Sequence, residues 1–285
     1  MIELQISTHS GVVNYLEFGD TKNPTIICLH GLAGNGLYSF GELVPLLQED
    51  FHLILLDNPG HGKTAPFPNE DDYLFANLAR WVERAAAKIV EGPFYIMGHS
   101  WGADMALHYT RHYPDKVLGL ILLDGAFIFP HNQPEMNFDY AYAGWNDYMD
   151  RSIFSDKEQI YKEYKSYTKK WDSQKEQYSD SLFQKRSDGK FELVASKFTV
   201  LAIIQAFFKE PFQEAYPFIH VPTLLIHAEL PQILEDARTR GILQLSENIE
   251  DFFVHRVEDA SHMLQWDEPE ASAKIISQWI QEKPL

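Results

Sequence analysis

Gly98-His99-Ser100-Trp101-Gly102 stands between Phe94-Tyr95-Ile96-Met97 and Ala103-Asp104-Met105-Ala106-Leu107-His108-Tyr109. The first flank is a short apolar run that reads as a buried strand, and the second carries Met105, Ala106 and Tyr109 at helical spacing. The pentapeptide is therefore a sharp turn from strand to helix. Such a turn strains the backbone at the serine and draws the chain close on both sides, so small residues are needed two before and two after. Gly98 and Gly102 fill both places. The strain holds the Ser100 hydroxyl out where a substrate can reach it, with a helix N-terminus behind it to favour developing negative charge.

Outward from this turn the chain alternates short apolar runs with helical segments. Residues 3–7 and 12–18 alternate in polarity and are joined by Thr8-His9-Ser10-Gly11, which reads as an antiparallel hairpin. Residues 25–29, 52–56, 94–97, 117–123, 223–227 and 252–257 are largely apolar throughout, the pattern of parallel strands covered on both faces. An α/β fold with an eight-stranded, mostly parallel sheet and helices on both faces is expected. Leu74, Leu78, Val82, Ala85 and Ile89 mark one covering helix over 73–90, and Ile275, Ile276, Trp279 and Ile280 another over 271–280.

One stretch breaks this rhythm. Roughly a hundred residues separate the sixth strand from Thr223, where a crossover needs about a dozen. From 129 to 218 the composition turns aromatic and charged, so the chain divides into 1–128 with 219–285, and an insertion over 129–218. Tyr161, Tyr164, Lys165 and Thr168 share one helical face, and 195–208 forms a second, more apolar helix. Most of the aromatic side chains pack the insertion onto the rest; a few line an apolar pocket.

A chain of 285 residues can bury this core without a disulfide or metal, and its single cysteine, Cys28, reads as a small buried hydrophobe. No intrachain disulfide can form, which suits a reducing cytoplasm. The chain opens on neither a basic nor a signal-length apolar stretch, and no long uncharged apolar run follows. A net charge of −17, from 24 basic and 41 acidic side chains, repels nucleic acid and anionic membranes. A small molecule is the expected partner.

Three further stretches complete the reading. His30-Gly31-Leu32-Ala33-Gly34 follows the strand ending at Leu29; Asp57-Asn58-Pro59-Gly60-His61-Gly62-Lys63-Thr64 follows the next; Asp259-Ala260-Ser261-His262-Met263 follows the last strand. With the Gly-x-Ser-x-Gly turn, these make the chain resemble the α/β-hydrolases, the turn being their nucleophile elbow. The resemblance implies that 129–218 is a helical cap over the active site. It implies a serine nucleophile at Ser100, a base at His262, and an oxyanion hole formed by the backbone N–H groups of Leu32 and Trp101. His262 rests on position, since 12 histidines make any one a weak signal. His30 takes a structural hydrogen bond, His99 packs or hydrogen-bonds beneath the elbow, and Asp57 and His61 shape their turn.

The acid departs from the commonest pattern of the family, Gly-x-x-Asp after the seventh strand. Here Ala228-Glu229-Leu230-Pro231 puts proline where the aspartate would fall. A minority of members take the acid from the end of the sixth strand, which points to Asp124; Glu229 is the alternative, followed by Glu235 and Asp236. A serine ester would form at Ser100 and be released by water, with no metal or organic cofactor. Pairs such as His227 and Glu229 complete no ligand set. A serine at position 100 also argues against a haloalkane dehalogenase, whose nucleophile is an aspartate.

A carboxylesterase acting on a small apolar substrate is the first reading. Gly-x-Ser-Trp-Gly also occurs in proline iminopeptidases, for which Glu135 and Asp139 could hold a substrate ammonium. Lactonase, thioesterase and carbon–carbon bond hydrolase are further alternatives on one fold. A different class, a low-turnover small-molecule receptor, would fit the altered acid position.

Overall fold

A fully apolar strand needs both its faces covered, and the period of two along each strand sorts its side chains into two separate cores. The computed structural model describes residues 2–8 and 11–283, so His9 and Ser10 of the expected hairpin turn lie outside the described residues. The strands are β1 (Ile2–Thr8), β2 (Gly11–Phe18), β3 (Thr25–Leu29), β4 (His52–Leu56), β5 (Phe94–His99) and β6 (Val117–Leu123). In β3, Ile27 and Leu29 face one core while Ile26 and Cys28 face the other. Phe94 and Ile96 of β5 are divided in the same way from Tyr95 and Met97.

Helices Phe75–Ile89 and Trp101–His112 cover the first face, and Pro269–Gln281 the second. Each presents the apolar stripe expected of a covering helix: Leu78, Val82 and Ala85 on the first, Ile276, Trp279 and Ile280 on the last. The 73–90 segment opens not as helix but as a tight 3-10 turn, Glu70–Tyr73, before the α-helix begins at Phe75.

After β6 the chain leaves the sheet and returns as β10 (Thr223–Ala228) and β11 (Phe252–Val257), with the short β7 (Ile153–Phe154), β8 (Phe183–Lys185) and β9 (Phe191–Leu193) between. The main sheet has eight strands in the order β1-β2-β4-β3-β5-β6-β10-β11. Pairing is antiparallel for β1 with β2 and β2 with β4, and parallel across the rest. The C-terminal ends of β3, β5, β6 and β10 are thus neighbours at one edge. Crevices at that edge are where open parallel sheets bind ligands.

The inserted segment carries helices Phe138–Arg151, Lys157–Tyr164, Ser173–Asp180 and Lys197–Lys209. Its three short strands pair antiparallel in the order β7-β9-β8, a sheet the helical expectation did not include. The expected face of Tyr161, Tyr164, Lys165 and Thr168 also breaks. The helix ends at Tyr164, tightens into a 3-10 turn at Lys165–Tyr167, and Thr168 is extended. The Thr168 hydroxyl instead donates to Asp267 Oδ1 at 2.8 Å, which ties the insertion to the rest of the chain. Among the described residues no helix is long and apolar enough to cross a membrane.

Candidate active site

Ser100 follows β5 and caps helix Trp101–His112 at φ 53°, a strained value for a residue with a side chain. The close approaches expected of the turn are present. A β-carbon on Gly98 would overlap the Gly102 carbonyl, and one on Gly102 the Leu29 carbonyl. The Ser100 N–H donates to the Leu123 carbonyl at 3.0 Å, which couples the turn to the end of β6.

His262 lies between Ser100 and Asp124. Its Nε2 is 2.9 Å from Ser100 Oγ and its Nδ1 is 2.7 Å from Asp124 Oδ2. Asp124 is fixed in turn by β10: its N–H donates to the Ile226 carbonyl at 2.9 Å, and its Oδ1 accepts the Ala228 N–H at 2.9 Å. Burial pushes the Asp124 carboxyl up, but the His262 hydrogen bond and charge, with the Ala228 amide, outweigh it and hold the pKa below the ordinary value. A carboxylate that stays ionised and accepts from Nδ1 leaves Nε2 as the proton acceptor facing the serine.

The other candidate acids lie elsewhere. Glu229 accepts the Asp259 N–H at 2.8 Å and pairs with Arg256. Glu235 lies 3.4 Å from Arg238 and 3.5 Å from Arg256, and Asp236 is exposed. Among the described residues none of these three hydrogen-bonds His262. Glu135 and Asp139 are exposed and line neither cavity that reaches Ser100.

Leu32 and Trp101 flank Ser100 on one cavity wall, and neither backbone N–H has a hydrogen-bond partner among the described residues. The Leu32 turn is braced by two buried histidines. His30 Nδ1 donates to the Gly31 carbonyl at 2.8 Å, and its Nε2 accepts the Asn58 N–H at 2.9 Å. His61 Nε2 accepts the Ala33 N–H at 3.1 Å. Asp57 accepts the N–H groups of Gly36 and Lys63 at 3.2 and 3.0 Å. The Trp101 ring packs against both His30 and His61, so the residue after the serine closes the same cluster.

His99 makes the hydrogen bond expected beneath the elbow, whereas Asp104 was not foreseen. His99, adjoining the serine, donates from Nε2 to the His262 carbonyl at 3.0 Å, and burial holds its pKa at about 3. It is a neutral brace for the loop that carries His262. Asp104, one helical turn past Ser100, is buried in the cavity wall, and burial pushes its carboxyl well above the ordinary range. The Ala126 amide offsets part of this, while Asp104 Oδ1 has no hydrogen-bond partner among the described residues. The signal for Asp104 was a carboxylate on the buried face of the elbow helix.

Two cavities meet at Ser100 and His262 and share Leu32 and Trp145 in their walls. The smaller, about 260 Å³, is lined by Ile128, Phe129 and Phe207; the larger, about 430 Å³, by Tyr38, Tyr148, Tyr164 and Tyr167. Trp145, Tyr148 and Phe207 come from the inserted segment, which therefore supplies part of the walls of these cavities.

A family model described as alpha/beta hydrolase fold matches residues 24–269, and the chain belongs to that family. Among curated relatives, a serine hydrolase-like protein of Mus musculus is 32% identical over 139 residues, 48% of this chain and 44% of that protein. A proline iminopeptidase of Neisseria meningitidis serogroup A is 27% identical over 131 residues, 43% of this chain and 42% of that one. The chain thus spans less than half the length of either relative. In fold it is similar to a solved E-2-(acetamidomethylene)succinate hydrolase, at a TM-score of 0.81 and 21% identity over 98% of this chain and 99% of the other.

Proposed function

We propose that the protein is a serine hydrolase that cleaves a carboxylic ester or related acyl bond of a small, mainly apolar molecule. The observation that carries this is His262 bridging Ser100 Oγ and Asp124 at hydrogen-bond distance on both sides. Ser100 Oγ attacks the substrate carbonyl as His262 Nε2 takes its proton. Asp124 fixes the tautomer and stabilises the imidazolium without itself being protonated. The N–H groups of Leu32 and Trp101 donate to the oxyanion. Collapse breaks the acyl–oxygen bond, and the alcohol leaves with the proton from His262 Nε2. Water then gives a proton to His262 and attacks the serine ester, releasing the acid and restoring Ser100.

Residues 129–218 act as a cap over the core built from 1–128 and 219–285, excluding water from the serine and shaping both cavities. A peptidase reading draws on the iminopeptidase relative, but Glu135 and Asp139 lie away from the cavities, and burial favours the neutral form of Asp104. Nothing there matches a substrate ammonium as well as the apolar walls match an ester.

Multiple-turnover hydrolysis of p-nitrophenyl esters of increasing acyl length, comparing wild type with Ser100→Ala, tests the proposal. Turnover that disappears in the variant is the expected result. Release of one equivalent followed by arrest would favour a low-turnover receptor, and equal rates in both proteins would remove Ser100 from the reaction.

A further inference from the structure

The larger cavity carries four phenols from four separate elements. Tyr38 comes from helix Gly36–Phe40, Tyr148 from Phe138–Arg151, Tyr164 from Lys157–Tyr164 and Tyr167 from the turn after it. The Tyr148 and Tyr164 hydroxyl oxygens are 3.4 Å apart, and Tyr167 donates to Glu163 at 3.0 Å. The Tyr38 hydroxyl has no hydrogen-bond partner among the described residues. Burial, and the neighbouring phenols, raise the pKa values of Tyr38, Tyr164 and Tyr167, so these hydroxyls remain neutral donors.

The rings are largely engaged with one another. Tyr38 packs on Trp266 at 4.7 Å between centroids and meets Tyr164 edge to face at 5.9 Å; Tyr164 meets Tyr167 at 5.3 Å. The hydroxyls, more than the ring faces, are left for a ligand, which disfavours a cation held by an aromatic cage. No Lys or Arg among the described residues lines the cavity, so a carboxylate would lose its hydration without gaining a counter-charge. A neutral oxygen acceptor would satisfy the Tyr38 donor without burying a charge.

We propose that the larger cavity selects an uncharged half of the substrate that carries a hydrogen-bond-accepting oxygen, with the Tyr38 hydroxyl as its principal donor. This rests on the ester-hydrolase reading and adds the chemistry of one half of the substrate. That half is the alcohol side of the ester, and the probes vary it alone.

The test is equilibrium binding to the Ser100→Ala protein, followed by tryptophan fluorescence. The probes share a butyryl group: hexyl butyrate, 2-propoxyethyl butyrate, 5-carboxypentyl butyrate and butyrylcholine. Adding Tyr38→Phe keeps the ring contacts and removes only the hydroxyl. It is expected to weaken the ether ester roughly three- to tenfold, the size of one neutral hydrogen bond, and leave hexyl butyrate unchanged. Should Tyr38→Phe lower the melting temperature, the same ether-to-alkyl affinity ratio is read well below the variant's unfolding transition, where only folded protein contributes. Equal effects on ether and alkyl esters, or a selective effect on the carboxylate or choline ester, would overturn the inference. If no ester binds, the ester reading fails and this inference fails with it, whereas esters that bind without discrimination sink the inference alone.

Discussion

Gly125 approaches Ser100 so closely that a β-carbon on it would overlap the Ser100 carbonyl oxygen and crowd Ala103. Gly125, next to Asp124, is therefore in contact with Ser100, and the β6 end and the elbow behave as one unit. Gly125→Ala must push the two apart. We expect a loss of stability of about 1–3 kcal/mol, as for overpacking elsewhere, with a fall in kcat of at least about tenfold. Urea unfolding and ester turnover measure the two effects. A variant with wild-type kcat would show that the contact does not position Ser100.

Asp124 and Glu229 separate by partner. Asp124 meets His262, whereas Glu229 meets Arg256 and the Asp259 amide. Asp124→Asn presents an amide to Nδ1 and favours the wrong tautomer, so kcat should fall by about three to four orders of magnitude with the fold intact. Glu229→Gln should leave kcat within about twofold, because its contacts are on the exposed side of the loop. The reverse ranking in ester assays would transfer the acid role to Glu229.

Asp104 gives a pH signature of the opposite kind. Its folded pKa is raised by burial, so its contribution is greatest below the ordinary carboxylate value and is lost as pH rises toward the folded pKa. Asp104→Asn cannot ionise. The melting temperature of the variant relative to wild type should therefore climb by a few degrees between pH 5 and pH 8. A constant difference across that range would mean that Asp104 is no more costly to ionise in the folded protein than in the unfolded chain.

Much of this arrangement was legible in the sequence where a local rule acts alone. The elbow needs two glycines and its flanks at fixed spacing, and the apolar runs need a sheet covered on both faces. The carboxylate that meets His262 was harder, because it depends on β6 lying beside β10 so that Asp124 can take the Ala228 amide. The strands β7, β8 and β9 are two or three residues long and too short to show alternation. The division of tyrosines into packing and cavity wall was not legible at all. Tyr38 and Tyr164 meet edge to face across the boundary between core and insertion, and no spacing encodes that.

The buried histidines are expected to weaken the fold in acid. His30 is held well below its ordinary pKa, His61 at about 4, and His99 and His108 at about 3, in each case mainly by burial. Depressed histidines bind fewer protons when folded than when unfolded, so their stabilising effect is present above about pH 6.5 and is lost as pH falls. Each such group steepens the decline by up to roughly 1.4 kcal/mol per pH unit, with Asp57 and Asp104 opposing it. His108 isolates one contribution, since it stacks on Phe75 at 4.7 Å and lines neither cavity at Ser100. His108→Phe keeps an aromatic ring there and cannot titrate. Urea unfolding between pH 7 and pH 5 should show wild type losing stability faster than the variant by about one proton's worth of slope, whatever the offset between the curves. Parallel curves would mean that His108 takes up its proton equally in both states, and that burial does not hold the ring neutral.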